Sequence, residues 1–298
     1  MPRIRSFLAK ATLLLLISTL IVLAGSWMLA GPMMESANHK VAPLPADLHG
    51  REVHFRSASG SELKGWFIAG TPGKGAVVLL HGLRSDQSGM YQRARFLAAA
   101  GYAVLVFDFQ GHGESIAPYI TFGFLESRDA AAAVEFLHRE APGERIGVIG
   151  LSMGAAAAVL ADPPLAVDAM VLEEAYPTIE NALANRLRLQ YGSQGGALVP
   201  LFTWQMPLRL GFGPASLRPI DRIANVRVPK LMIAGAEDLH TTLAESDRLY
   251  AAAAEPKEYW VVPGAGHEDI HKLQGNAYET RVLAFLGRWL SADQATAR

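Results

Sequence analysis

The sequence predicts an α/β domain built on a parallel, doubly wound sheet, preceded by one N-terminal helix long enough to cross a membrane. Three observations predict it. Short, wholly apolar runs such as Ala76 to Leu80 recur along the chain, as strands covered on both faces require. Helix-like stretches separate them, which implies right-handed β-α-β crossovers. The first charge-free segment is far longer than any strand.

Residues 1–34 carry that segment. Arg3, Arg5 and Lys10 precede it, and no charged residue occurs from Ala11 to Met34. As a helix this run extends roughly 36 Å, against about 30 Å for a hydrocarbon core. Trp27 suits the interface, and Gly31-Pro32 is expected to end the helix. The leading positive charges predict a cytoplasmic N-terminus, membrane contact through residues 11–34, and a folded part on the extracytoplasmic side. Two competing readings stand beside the anchor. One is a signal peptide with Ala24-Gly25-Ser26 as the cleavage site, although the apolar run continues past it. The other is a buried helix of a soluble protein.

Residues 35–50 hold Pro43 and Pro45 and read as a linker, and residues 51–298 as the folded domain. Val53-His54-Phe55 and Trp66-Phe67-Ile68 predict an antiparallel pair around a Ser59-Gly60 turn. Core strands are expected at Ala76 to Leu80, Tyr102 to Phe107, Arg145 to Ile149, Ala169 to Leu172, Lys230 to Ala234 and Glu258 to Val262. Helices are expected at Tyr91 to Ala100, Glu126 to Arg139, Met153 to Leu160, Thr242 to Ala254 and Ala277 to Leu290.

Composition narrows the function. Half of the 298 residues are hydrophobic, which excludes a disordered chain. With 27 basic and 28 acidic residues the net charge is −1, and no basic block is present, so nucleic acid is not an expected partner. The absence of cysteine excludes disulfides, thiolate metal sites and a cysteine nucleophile. No phosphate-binding glycine loop and no metal-ligand spacing is found, so no cofactor is expected.

In parallel sheets chemistry collects at the carboxyl ends of the strands. There, Gly150-Leu151-Ser152-Met153-Gly154 joins a strand to an alanine-rich helix. A sharp strand-to-helix turn leaves no room for Cβ atoms two residues either side of its apex, and it exposes the apex hydroxyl above the sheet. Ser152 is therefore the candidate nucleophile. A serine needs a base, and His267, in the glycine-containing loop after the last strand, is the candidate. His271 is a weaker rival. The imidazole needs a carboxylate to fix its tautomer. Asp238 is the candidate, with Glu237, Glu173 and Glu174 as alternatives at nearby strand ends. The oxyanion requires two amide donors, for which Met153 and Leu83 are selected. His81 and Asp108 also end strands and are read as structural.

With His81-Gly82, Asp108, Gly111-His112-Gly113-Glu114-Ser115, the Ser152 motif, Asp238 and Gly266-His267 in this order, the sequence resembles the α/β-hydrolase superfamily over about residues 50 to 292. Among its branches it looks most like the membrane-tethered BEM46-like hydrolases and the serine aminopeptidase-like group. The resemblance implies an α/β-hydrolase fold with a mostly parallel eight-stranded sheet, helices on both faces and a short lid inserted at about residues 176–220. It also implies a serine hydrolase acting on a small acyl substrate, with Ser152, Asp238 and His267 as the triad. Esters of apolar acids are the first expected substrates and peptides or amides the second, while acyl transfer through the same residues and a catalytically silent, membrane-tethered interaction module stand as alternatives. One departure is the acid loop, Asp238-Leu239-His240-Thr241-Thr242, which lacks the proline common in the family. The apolar insert suits either an acyl pocket or packing against the sheet or a membrane surface.

Overall fold

The structure, a computed structural model, describes residues 2–267 and 269–291. Its centre is an eight-stranded sheet: β1 (Gly50–Arg56), β2 (Glu62–Ile68), β3 (Ala76–Leu80), β4 (Ala103–Phe107), β5 (Ile146–Leu151), β6 (Ala169–Glu173), β7 (Lys230–Gly235) and β8 (Lys257–Val262). The spatial order is β1-β2-β4-β3-β5-β6-β7-β8. β2 runs antiparallel to β1 and β4, and β3 to β8 are mutually parallel. This is the α/β-hydrolase fold.

Alternation along the strands feeds two apolar layers. Val78 and Leu80 of β3 face the layer with α3 (Glu126–Glu140), α4 (Met153–Leu160) and α8 (Leu243–Ala252). Val77 and Leu79 face the other, with α2 (Tyr91–Ala99) and α9 (Asn276–Leu290). Both faces are thus dry, which is why these strands read as unbroken apolar runs. A third apolar cluster lies away from the sheet. It joins α4 to α5 (Ile179–Tyr191), α6 (Val199–Thr203), α7 (Met206–Leu210) and the end of α1 (Pro2–Met34).

α1 is the helix long and apolar enough to cross a membrane or to serve as a signal sequence, and its apolar window is unburied. It does not stop at Gly31-Pro32 as expected but continues through Pro32 to Met34. A proline inside a helix removes one backbone donor and crowds the preceding turn. Here packing holds the final turn in register: Ala30 and Met34 are buried, and Met34 O accepts the Ile120 amide at 2.9 Å. The stretch read as a plain linker also contains a two-residue strand, Ala37–Asn38, parallel to His112–Gly113.

Candidate active site

The site stands where β5 turns into α4. Ser152 has φ 52° and ψ −111°, a left-handed strain that aims its side chain out of the turn. A Cβ on Gly150 would lie 2.7 Å from the Ala155 amide nitrogen, and one on Gly154 would lie 2.3 Å from Leu80 O. Both positions therefore require glycine. The parallel register of β3 with β5 pairs Leu80 with Gly150, which brings the loop starting at His81 beside the serine.

Ser152 Oγ lies 3.1 Å from His267 Nε2, and His267 Nδ1 lies 2.8 Å from Asp238 Oδ2. These contacts fix one tautomer: Nδ1–H donates to the carboxylate, and Nε2 is left to accept from the serine hydroxyl. Burial would raise the Asp238 carboxyl, but the bond and charge of His267 and the bonds from Thr241 outweigh it and hold it below the usual range. The missing proline has a local replacement. Asp238 Oδ1 accepts the amides of His240 at 2.7 Å and Thr241 at 2.9 Å, and the Thr241 hydroxyl donates to Oδ2. The loop is braced by its own aspartate.

The rival residues fall elsewhere. Glu173 is buried in a bond with Arg93 Nη2 at 2.7 Å and receives the Tyr278 hydroxyl. Glu237 is exposed. His271 pairs with Glu279 at 2.9 Å. Glu174 comes nearest, with Oε2 3.7 Å from His267 Nδ1, a longer contact than Asp238 makes. Glu174, Asp238 and His267 each offer a ligand atom within 4.8 Å of the others, a set able to hold a cation that linear spacing could not disclose.

His81 is a brace. Its Nδ1 faces Gly82 O at 2.8 Å, its Nε2 accepts the Phe109 amide at 3.1 Å, and burial pushes its pKa down to about 3. Asp108 accepts the Gln87 amide at 2.7 Å and the Glu114 amide at 2.9 Å, tying two loops together. Leu83 and Met153 line the same pocket as Ser152. Met153 opens α4, where a helix leaves its first amides without an intrahelical acceptor.

That pocket encloses about 690 Å³ of atom-free space, its open mouth included. α5 contributes Ile179, Leu183 and Arg186, while Phe202 and Met206 come from the short helices after it. Ala30, Met33 and Met34 of α1 complete the lining. Sequence reading missed Arg186, His240 and the contribution of α1. The His240 ring lies 5.0 Å from that of His267, tilted at 45°, and burial, then the nearby Arg186 charge, lower the His240 pKa.

A strained serine at a glycine-flanked elbow, on this sheet order, defines a hydrolase of the α/β-hydrolase fold. The model of the alpha/beta hydrolase family matches residues 77–272, and the chain belongs to that family. An uncharacterized protein of Mycobacterium tuberculosis is 34% identical over 267 residues, spanning 86% of this chain and 84% of that one. An esterase of Pyrococcus furiosus is similar in structure, with a TM-score of 0.70 and 26% identity over 86% of this chain and 99% of its own. An acylaminoacyl peptidase of Pyrococcus horikoshii shares the fold, with a TM-score of 0.61 and 20% identity over 82% of this chain and 42% of its own.

Proposed function

We propose that the chain is a membrane-anchored serine hydrolase that cleaves carboxylic esters of apolar acids. The observation that carries this reading is the line of contacts from Ser152 Oγ to His267 Nε2 at 3.1 Å and from His267 Nδ1 to Asp238 at 2.8 Å, beside an apolar pocket.

Ser152 Oγ attacks the acyl carbonyl as its proton passes to His267 Nε2. Asp238 stays ionised and stabilises the imidazolium. The amides of Met153 and Leu83 hold the oxyanion. Collapse breaks the bond to the leaving alkoxide, which takes the proton from Nε2. Water, deprotonated by the same nitrogen, then attacks the acyl-enzyme, and proton return to Ser152 releases the acid. Every role is filled by the chain's own side chains and amides.

In this reading residues 1–34 anchor the protein, 35–50 link it, and 51–298 form the hydrolase, with a lid at about 176–220. The anchor is supported by exposed leucines and isoleucines along α1, Leu14 and Ile21 being 65% and 66% exposed. Arg3, Arg5 and Lys10 support a cytoplasmic N-terminus and an extracytoplasmic active site. The P. furiosus esterase supports ester chemistry through its likeness over 86% of this chain.

A fluorophosphonate probe is expected to label the wild-type chain at Ser152, located by peptide mass analysis, and not the Ser152→Ala variant. Undiminished labelling of that variant would overturn the nucleophile.

A further inference from the structure

The geometry points to the last turn of the N-terminal helix as the element that sets acyl length, with Ala30, Met33 and Met34 as specificity-determining residues for long, single-chain acyl esters. This rests on the reading of Ser152 as nucleophile, and it adds a role for α1 that anchoring does not require.

Four observations converge. First, these three residues share a pocket with Ser152 and Met153. Secondly, the helix changes character there: Met28 and Leu29 are 76% and 63% exposed, whereas Ala30 and Met34 are 0% and 4% exposed. One helix thus presents an outward apolar surface and, a turn later, a pocket wall.

Thirdly, the wall is fastened from several directions. The Trp204 indole donates to Ser26 Oγ at 3.1 Å, and the buried Gln205 amide donates to Ser26 O at 3.1 Å. The Arg209 guanidinium covers the Trp27 ring at 3.8 Å. Arg84, next to the proposed oxyanion donor Leu83, donates to Pro32 O at 3.4 Å and Glu35 O at 3.3 Å. A turn held this way is a fixed boundary, and a fixed boundary discriminates by length.

Fourthly, the lining suits an alkyl chain. Besides α1 the lining includes Ile179, Leu183, Phe202 and Met206, and the two methionines that α1 contributes to it, Met33 and Met34, are unbranched thioethers that adapt to a flexible occupant. The apolar character continues outside, where Trp204 and Leu208 lie exposed on the helices that pack against α1.

The test compares kcat/KM for dodecanoyl and acetyl esters of p-nitrophenol, using the full chain in detergent micelles. The ratio is taken within each variant, so loss of folded protein cancels. In Ala30→Trp, which fills the pocket from the wall, the ratio is expected to fall at least about tenfold, because one methylene in an apolar pocket is worth about that much. In Met33→Ala, which enlarges it, the hexadecanoyl-to-dodecanoyl ratio is expected to rise. Met28→Ala, on the exposed side of the same helix, should leave both ratios unchanged. Ratios within twofold of wild type in both Ala30→Trp and Met33→Ala would overturn the inference. A wild-type chain that neither hydrolyses these esters nor takes the fluorophosphonate would sink the nucleophile instead. Binding of a fluorescent long-chain fatty acid then decides the wall alone: weaker binding by Ala30→Trp supports it, and equal binding overturns it.

Discussion

Ser152 has two unlike sides. Toward His267 the walls are polar loops cross-linked by directional bonds, from Asp238 with its bonds from His240, Thr241 and His267 to Arg93 bridging Glu173 at 2.7 Å and Asp269 at 2.9 Å. Toward α1 and the short helices after α5 the lining is mainly apolar side chains meeting by shape, and hydrogen bonds such as those of Trp204 and Gln205 to Ser26 fasten α1 through residues outside that lining. The difference separates two design problems. A reaction needs atoms held within fractions of an ångström, which directional bonds secure. Selection among alkyl groups needs volume, which close packing secures.

The contrast can be broken most directly on the polar side. Ser152→Ala and His267→Ala are each expected to lower kcat on a short ester about 10⁶-fold, and Asp238→Asn about 10⁴-fold. Steady-state assays on purified protein would show this, and an Asp238→Asn enzyme of near wild-type kcat would hand the acid role to Glu174.

Stability should divide the same way. Arg93 is fully buried and paired, so Arg93→Leu leaves the Glu173 carboxylate buried without its cation and is expected to cost about 3–5 kcal/mol. Leu208 is 70% exposed on α7, and Leu208→Ala should stay within about 0.5 kcal/mol of wild type. Urea unfolding of both variants measures the gap, and equal losses would erase the contrast.

The smallest effect concerns acid. His81 is buried neutral with its pKa near 3, so the unfolded chain binds a proton there that the folded chain does not. Its share of stability is full above the unfolded value of about 6.5 and declines as pH falls below it, by up to about 1.4 kcal/mol per unit, until the folded value is reached. Unfolding free energies at pH 7 and pH 5 should therefore differ less in His81→Gln than in wild type.

What sequence could disclose follows the same division. The elbow glycines, Ser152, Asp238 and His267 each stand at a strand end and carry a residue type tied to one task, so chain order alone suggested their meeting. Met153 to Leu160 was read to the residue because an alanine-rich run after a glycine-flanked turn has few other conformations. The end of α1 was misjudged because Pro32 is a local stop signal, whereas the packing of Ala30 and Met34 that overrides it is tertiary. The pocket lining was illegible for a related reason. Ala30, Leu183 and Phe202 lie far apart in the chain, and an apolar residue facing a cavity has the same chemistry as one facing a core. Arg186 gave no signal either, since a charged residue on a helix is ordinarily solvated, whereas Glu174 was legible as a carboxylate at a strand end.

The short strand after α1 has a mechanical consequence. Ala37 N–H donates to Gly111 O at 2.7 Å, His39 N–H to Gly113 O at 2.9 Å, and the Asn38 side-chain amide to Ser115 O at 3.0 Å. These ties fasten the segment after the helix to the hydrolase domain, like a blade fixed on its shaft. With the shaft seated in a bilayer, the height and heading of Ser152 over the lipid headgroups would follow the tilt of the helix.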